Sequence, residues 1–351
     1  VSERTNSAQG PSKPVGPLSQ AVSLSDSGGL RTLGGGRKGS GRGANPLIVL
    51  RRTAFLTWTQ GQAETDRKAS SDKRAVQRLL RWADQTDLGQ DAKLIASVHA
   101  RRTRSLLALQ ERGHTVVRLH ARVQWRLITG MGAKDNAHEI GIALHGTYGW
   151  PVLPAAGLKG MTAAWAARNT TDTAAIDAVF GTPRPAGSAP GTLTDGTTGD
   201  LPLSPAPAGT ASGEASRGGV LFLDAFPTEV ATVQRDVLTP HAQPYYEAAE
   251  KTRNNENRAT GDSGASVSFA PPAEHHNPVP VPFLTVQGAT FAVDLVGRDA
   301  EAVHCAKRWL SDAADALGAG AKTAAGYGYL KIDDDPDWPH HPKLLRKADR
   351  P

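Results

Sequence analysis

A chain of 351 residues with 39% hydrophobic residues is long enough for one large domain or two ordinary ones. No run approaches 18 apolar residues, the opening VSERTNSAQGPSKP has no apolar leader segment, and Cys305 is the single cysteine. A membrane span, a signal peptide, an internal disulfide and a multi-thiolate zinc site are therefore not expected, and a reducing cytoplasm is.

Charge is unevenly spread. Between Arg31 and Arg126 there are 20 Lys/Arg against 7 Asp/Glu, a net of +13, which leaves −7 for the remainder of a chain whose total is +6. Such polarity suggests a polyanion on one side and protein neighbours on the other; the plain alternative is a basic helix face on a soluble protein.

Residues 1–45, with GGLRTLGGGRKGSGRG, are too poor in apolar side chains to fold alone and read as a mobile basic tail. A basic, mainly helical extension is expected over 46–116. Within it LIVLRRTAFLTW (47–58) reads as a strand, 71–82 as a helix with Val76, Leu79 and Leu80 inward, and 91–110 as a second helix exposing Arg101, Arg102 and Arg104.

In VRLHARVQWRLITG, Val117, Leu119, Ala121, Val123, Trp125 and Leu127 alternate with Arg118, His120, Arg122, Gln124 and Arg126. A period of two predicts a strand with one buried face and one wet face, and the wet face would carry Arg118, Arg122 and Arg126 in a row suited to phosphates. Beyond it, LKGMTAAWAARN reads as a helix and 181–219 as a loop insertion. GGVLFLDAFP (218–227) reads as a buried strand, 247–275 as a second loop, and VPFLTVQGATFAVDLVG (281–297) as a hairpin through Gln287 and Gly288. EAVHCAKRWLSDAADAL (301–317) is a helix followed by the glycine run GAGAKTAAGYG, and 331–351 forms a tail. This mixture predicts an α+β fold with an antiparallel sheet carrying helices.

Four patterns bear on chemistry. In LPAAGLKG (153–160), the helix start beside Lys159 could receive a phosphate on free amides or be an ordinary loop-to-helix junction. GAGAKTAAGYG fails the GxxxxGK[ST] phosphate-loop pattern because Ala321 precedes Lys322, so ATP or GTP binding is not expected. Its glycines would admit close approach of a ligand or chain, while Tyr327 and Tyr329 either stack on a base or fill the core. His275 with His276, and His304 with Cys305, lack zinc-site spacing, and Cys305 reads as a small buried hydrophobe. Asp224, Asp236, His241, Tyr245 and Tyr246 admit two readings, an acid/base group for RNA cleavage or an extended segment docked on the body.

TGMG (129–132), HGTYGWPVLPAAGLKGMTAAW (145–165), GGVLFLDAFP, DVLTPHAQPYY (236–246), NPVPVPFLTV (277–286) and GAGAKTAAGYG together resemble the RAMP superfamily of CRISPR proteins. Within that superfamily they are most similar to the sixth-subunit family of the Cmr (type III-B) effector complex. The resemblance covers 117–330. It implies a ferredoxin-like or RNA-recognition-like core, elaborated or partly duplicated, with no cofactor and no metal. It further implies a non-catalytic structural subunit in antiviral defence that grips the CRISPR guide RNA by its backbone toward the 3′ end. Such a subunit would cap the filament beside a repeated RAMP backbone subunit and the largest RAMP subunit. Carried over by position, Gly157, Lys159 and Gly160 lie near the guide backbone, and Gly318, Gly320, Lys322, Gly326 and Gly328 form the loop at RNA or core. Ala155 and Ala156 stand where the family has serines, which leaves backbone amides as the contacts there. Two other functions remain open: a metal-independent endoribonuclease processing guide precursor through His241 or His145, and a subunit that only bridges proteins.

Overall fold

The computed structural model describes residues 45–52, 73–132, 140–182, 216–239 and 280–339, with short strands at 13–15, 22–24, 30–32, 54–58 and 69–71. Most of the basic tail, of the insertions at 181–219 and 247–275 and of the C-terminal tail lies outside the described residues, as do His241, Tyr245, Tyr246, His275 and His276. Two compact units are formed, each from three stretches of chain: 1–91, 128–151 and 231–287 in one, and 92–127, 152–230 and 288–351 in the other. Among the described residues no helix is long and apolar enough to cross a membrane.

The second unit carries the recognisable architecture. In chain order its elements are α1 (Ala92–Glu111), β1 (Thr115–Val123), α2 (Ala155–Asn169), α3 (Thr173–Phe180), β2 (Val220–Phe222), β3 (Thr290–Gly297), α4 (Ala300–Ala316) and β4 (Leu330–Asp334). The strands pair in the order β4-β1-β3-β2, all antiparallel, with Phe226–Pro227 adding to β3. From β1 to β4 this is βαββαβ connectivity with the first and third strands central, a ferredoxin-like sheet, and the expected α+β class is what the chain forms.

Helix α4 forms because its apolar residues recur at helical spacing: Ala302, Val303, Ala306, Trp309, Leu310, Ala313 and Ala314 are buried. Asp299 starts it by accepting from the Glu301 amide at 2.9 Å. It covers one face of the sheet. The other face meets α1, where Leu106 packs with Val116 and Val296. Sequence alternation identifies β1 as a strand, yet the face expected to be wet is buried at Val116 and Arg118 and exposed only at Arg122.

In the first unit, Lys73–Gln85 is a helix whose Leu79, Leu80 and Ala83 are buried. Strand Thr232–Leu238 pairs antiparallel with Val281–Gln287. Asp87 and Gln90 fix this pair's edge: Asp87 Oδ1 accepts from the Val233 amide at 2.9 Å, and the Gln90 amide donates to the Ala231 carbonyl at 2.7 Å.

Two predicted elements are corrected here. The stretch 47–58 is not one strand: Pro46–Arg52 is a helix, and only Ala54–Trp58 is extended. Asn45 explains the helix, since its Oδ1 accepts from the Leu47 amide at 2.9 Å and proline occupies the first helical position. The predicted hairpin over 281–297 is not one either. Val281–Gln287 pairs with Thr232–Leu238, whereas β3 pairs with β1 and β2, so the two flanks of Gly288 belong to different sheets.

Candidate nucleic-acid interface

Arg118, expected on a wet face, is 3% exposed. It stands within β1 beneath α1, and its charge is met by Asp294 of β3, directly opposite in register. The guanidinium donates from Nε to Asp294 Oδ1 at 2.7 Å, from a terminal nitrogen to Oδ2 at 3.2 Å, and from the other to Thr103 Oγ1 at 2.6 Å. Arg102, expected to be exposed on α1, folds onto the same carboxylate with its Nε 2.5 Å from Oδ2, and donates to the Asp224 carbonyl at 2.6 Å. Asp294 has no exposed surface. Two guanidiniums, one carboxylate and a hydroxyl thus form a largely buried polar cluster in the sheet face under α1, with Arg102 reaching its edge. Burial holds the Arg102 pKa below its usual value. Arg118 is therefore a structural residue and not part of an exposed arginine row.

Nearby, His99 Nε2 lies 2.7 Å from the Pro227 carbonyl, which can only accept, so the ring proton resides on Nε2. Burial first, then the two neighbouring guanidiniums, lowers the His99 pKa; the Pro227 contact and Asp294 oppose them.

Of the other two arginines, Arg122 is exposed and contacts Asp333 at 3.1 Å. Arg126 lies past the end of β1, in the two-residue strand Arg126–Leu127. There the alternation breaks: Gln124 and Trp125 form a bend, and Trp125, expected in the core, is 46% exposed. Its ring sits 4.9 Å from that of buried Tyr327, and the Arg126 guanidinium lies 5.2 Å from it. A Cβ on Gly326 would come 3.9 Å from the indole.

The glycine run 318–328 is pinned to this bend. The Gly328 amide donates to the Arg126 carbonyl at 2.7 Å, and the Gln124 amide to the Tyr329 carbonyl at 3.0 Å. Gly318, Gly320, Gly326 and Gly328 all have positive φ. Gly328 must also be small, because a Cβ there would meet the Ala319 carbonyl oxygen at 2.0 Å. Lys322, itself left-handed at φ 62, is exposed at the loop's tip. Tyr327 takes the core reading of the two that the sequence left open, and Trp125 supplies the accessible ring instead. The arrangement presents an aromatic face beside Arg126, with Lys322 exposed in the adjoining glycine run, which suits stacking on an unpaired base with cations for phosphates.

The helix start at 153–160 is capped from within the protein. The Ala155 amide donates to Asp224 Oδ1 at 2.7 Å, so a side chain of the protein already supplies negative charge at that terminus. Asp224 is accounted for as this cap. Gly157 and Gly160 lie on the outer face of α2, with nothing within 4 Å of an added Cβ. Lys159 instead reaches the Phe180 carbonyl at 3.4 Å. In the first unit Asp236 Oδ1 accepts from the Val237 amide, and His145 Nδ1 accepts from the Thr147 and Tyr148 amides. His145 also heads a stack, with rings 4.7 Å from His145 to Tyr148 and 4.5 Å from Tyr148 to Trp150. Cys305 is half-buried in α4, its sulfur 3.0 Å from the Arg308 guanidinium. Among the described residues no three His, Cys, Asp or Glu side chains gather where a metal ion could be held.

Trp125 is the residue that sequence reasoning missed, and Asp294 is the other. A lone carboxylate inside FAVDLVG was a signal that some cation had to be buried with it.

No family model matches the chain. Over 119 residues it is 35% identical to the CRISPR system Cmr subunit Cmr6 of Pyrococcus furiosus, a match that takes in 32% of this chain and 30% of that relative. The chain thus spans less than a third of that relative's length. Among solved structures, a chain of the type III-B Cmr-beta complex bound to cognate target RNA aligns at a TM-score of 0.48, with 16% identity over 79% of this chain and 77% of that one. Cmr6 from Pyrococcus furiosus aligns at 0.32, with 22% identity over 62% of this chain and 98% of that one.

Proposed function

We propose that the chain is a non-catalytic RAMP subunit of a type III-B CRISPR effector complex, in the cytoplasm, that holds guide RNA by its backbone toward the 3′ end. Its neighbours would be a repeated RAMP backbone subunit and the largest RAMP subunit. The similarity to Cmr6 over 119 residues supports the family reading. The strand order β4-β1-β3-β2 is the ferredoxin-like order that this reading requires.

The observation that carries RNA binding is the exposed Trp125 ring against the glycine run, with the Arg126 guanidinium beside it and Lys322 exposed in the same run. Exposed Gly320 and Gly326 let the backbone come close to a sugar-phosphate chain, while buried Gly318 and Gly328 hold the loop's own turns, and Arg122, paired with Asp333, lies exposed along β1. Gly157, Lys159 and Gly160 form a second contact on α2. Arg118 has no part in it, being sealed against Asp294.

The test is binding of the purified chain to single-stranded RNA, alone and with the neighbouring subunits, with product analysis. Trp125→Ala is expected to weaken binding by about 1–3 kcal/mol, the usual worth of one stacked base, and Trp125→Phe to recover most of it. New RNA ends produced by the isolated chain, or unaltered affinity in Trp125→Ala with Lys322→Ala, would sink the proposal.

A further inference from the structure

Sheet register places a second basic feature far from the glycine run. Val123 and Leu330 pair at one end of the sheet, whereas Thr115, Gly297 and Val220 meet at the other. Eight residue steps along β1 separate them by about 26 Å. At this far end a groove of about 410 Å³ follows the outer side of β2.

Three cations line it: Lys159 from α2, Arg217 from the segment leading into β2, and Arg298 just past β3. No Asp or Glu lines the groove, and among the described residues no salt bridge engages these three. His114 lines the same groove, and its buried Nδ1 has no hydrogen-bond partner.

Strand β2 is the last strand on its side of the sheet, so its outer edge is unpaired among the described residues. Because the Leu223 amide points inward to the Asp294 carbonyl, antiparallel alternation turns the Val220 and Phe222 amides outward, toward the groove. The floor is partly apolar, with Leu221 38% exposed. Uncompensated cations beside free amide donors form an anion site, and guanidinium forks match phosphate oxygens in pairs.

We propose that this groove receives the phosphodiester backbone of single-stranded RNA, extending the α2 contact at Lys159 on the strand held at the glycine run. The proposal rests on the RNA-binding function above for its choice of polyanion. It adds Arg217, Arg298 and His114 to the contact surface and gives Lys159 a role apart from the helix terminus that Asp224 occupies.

The measurement is fluorescence anisotropy of a labelled oligouridylate with the full chain across a potassium chloride series. Three proteins are compared: the wild type, Lys159→Ala/Arg217→Ala/Arg298→Ala, and Trp125→Ala/Lys322→Ala. Far-UV circular dichroism and thermal midpoints confirm that all three fold, and Arg298→Glu alone serves if the triple variant does not. Each phosphate neutralised contributes about 0.7 to the slope of log K against log salt for a single strand. The groove variant is therefore expected to show a slope shallower by about 2, a change that loss of packing would not produce. An unchanged slope in the groove variant, with binding weakened in the Trp125/Lys322 variant, overturns the groove and leaves the RNA-binding function standing. Absence of salt-dependent binding in the wild type overturns both. A groove variant that keeps RNA but loses poly-glutamate overturns the choice of RNA in favour of an acidic protein segment.

Discussion

Asp294 has no exposed surface and holds both Arg118 and Arg102. Removing it would leave two guanidiniums in a dry sheet face, so Asp294→Ala is expected to cost about 3–5 kcal/mol in urea unfolding. Replacing Asp294 and Arg118 together by apolar residues of similar volume should recover part of that loss, because the lasting penalty belongs to an unpaired charge. The same cluster explains how β1 was misread. A period of two shows that side chains alternate, but it does not show which faces are covered, and α1 covers the face that the arginines suggested was wet. Trp125 was misplaced for a related reason: the alternation extends through it only if the strand does, and the strand ends at Val123. Glycine is informative in the opposite sense at Gly160, where an added Cβ meets nothing within 4 Å. Gly160→Ala is expected to stabilise the isolated chain by about 1 kcal/mol, read as a higher thermal midpoint. If α2 also lies against RNA, the same variant binds RNA more weakly while folding better.

Helices were legible where apolar residues keep helical spacing, as in α4, and where a cap can be named. The helix at 46–52 is hard to read from the sequence because β-branched Ile48 and Val49 stand directly behind its Asn-Pro start. The 281–297 hairpin was misjudged because a short turn between two strands implies pairing only when both join one sheet. The contact of α1 with the residues after β2 carries a pH prediction. His99 is held below its usual pKa chiefly by burial, while in the unfolded chain it titrates near 6.5. Between those two values the unfolded chain binds the extra proton. Stability is thus full above about pH 6.5 and falls as pH drops through that window. Thermal midpoints measured from pH 7.5 to 5 should decline more steeply in the wild type than in His99→Gln, which keeps a donor toward the Pro227 carbonyl. Parallel curves would assign the acid sensitivity to other groups.

The whole molecule consists of two units, each assembled from three separate stretches, so neither can be released by trimming one end. Deleting residues 1–91 would remove the helix that buries Leu79 and Leu80 while leaving the strands Thr232–Leu238 and Val281–Gln287 in place. Such a truncation is expected to bind a hydrophobic dye strongly yet keep a cooperative transition from the ferredoxin-like unit, whose strands all lie beyond residue 114. Loss of all cooperativity would mean that the units do not fold independently. The strand order also bears on how the chain is made. β1 pairs with β3 on one side and β4 on the other, and Thr290 follows Val123 by about 170 residues. At about 5–20 residues per second, a ribosome would take roughly 10–30 s to supply the first partner. Throughout that interval β1 would emerge with both edges unsatisfied, an invitation to pair with another nascent chain. Recombinant yield should therefore respond to growth temperature and to chaperone supply more than the stability of the finished protein would suggest.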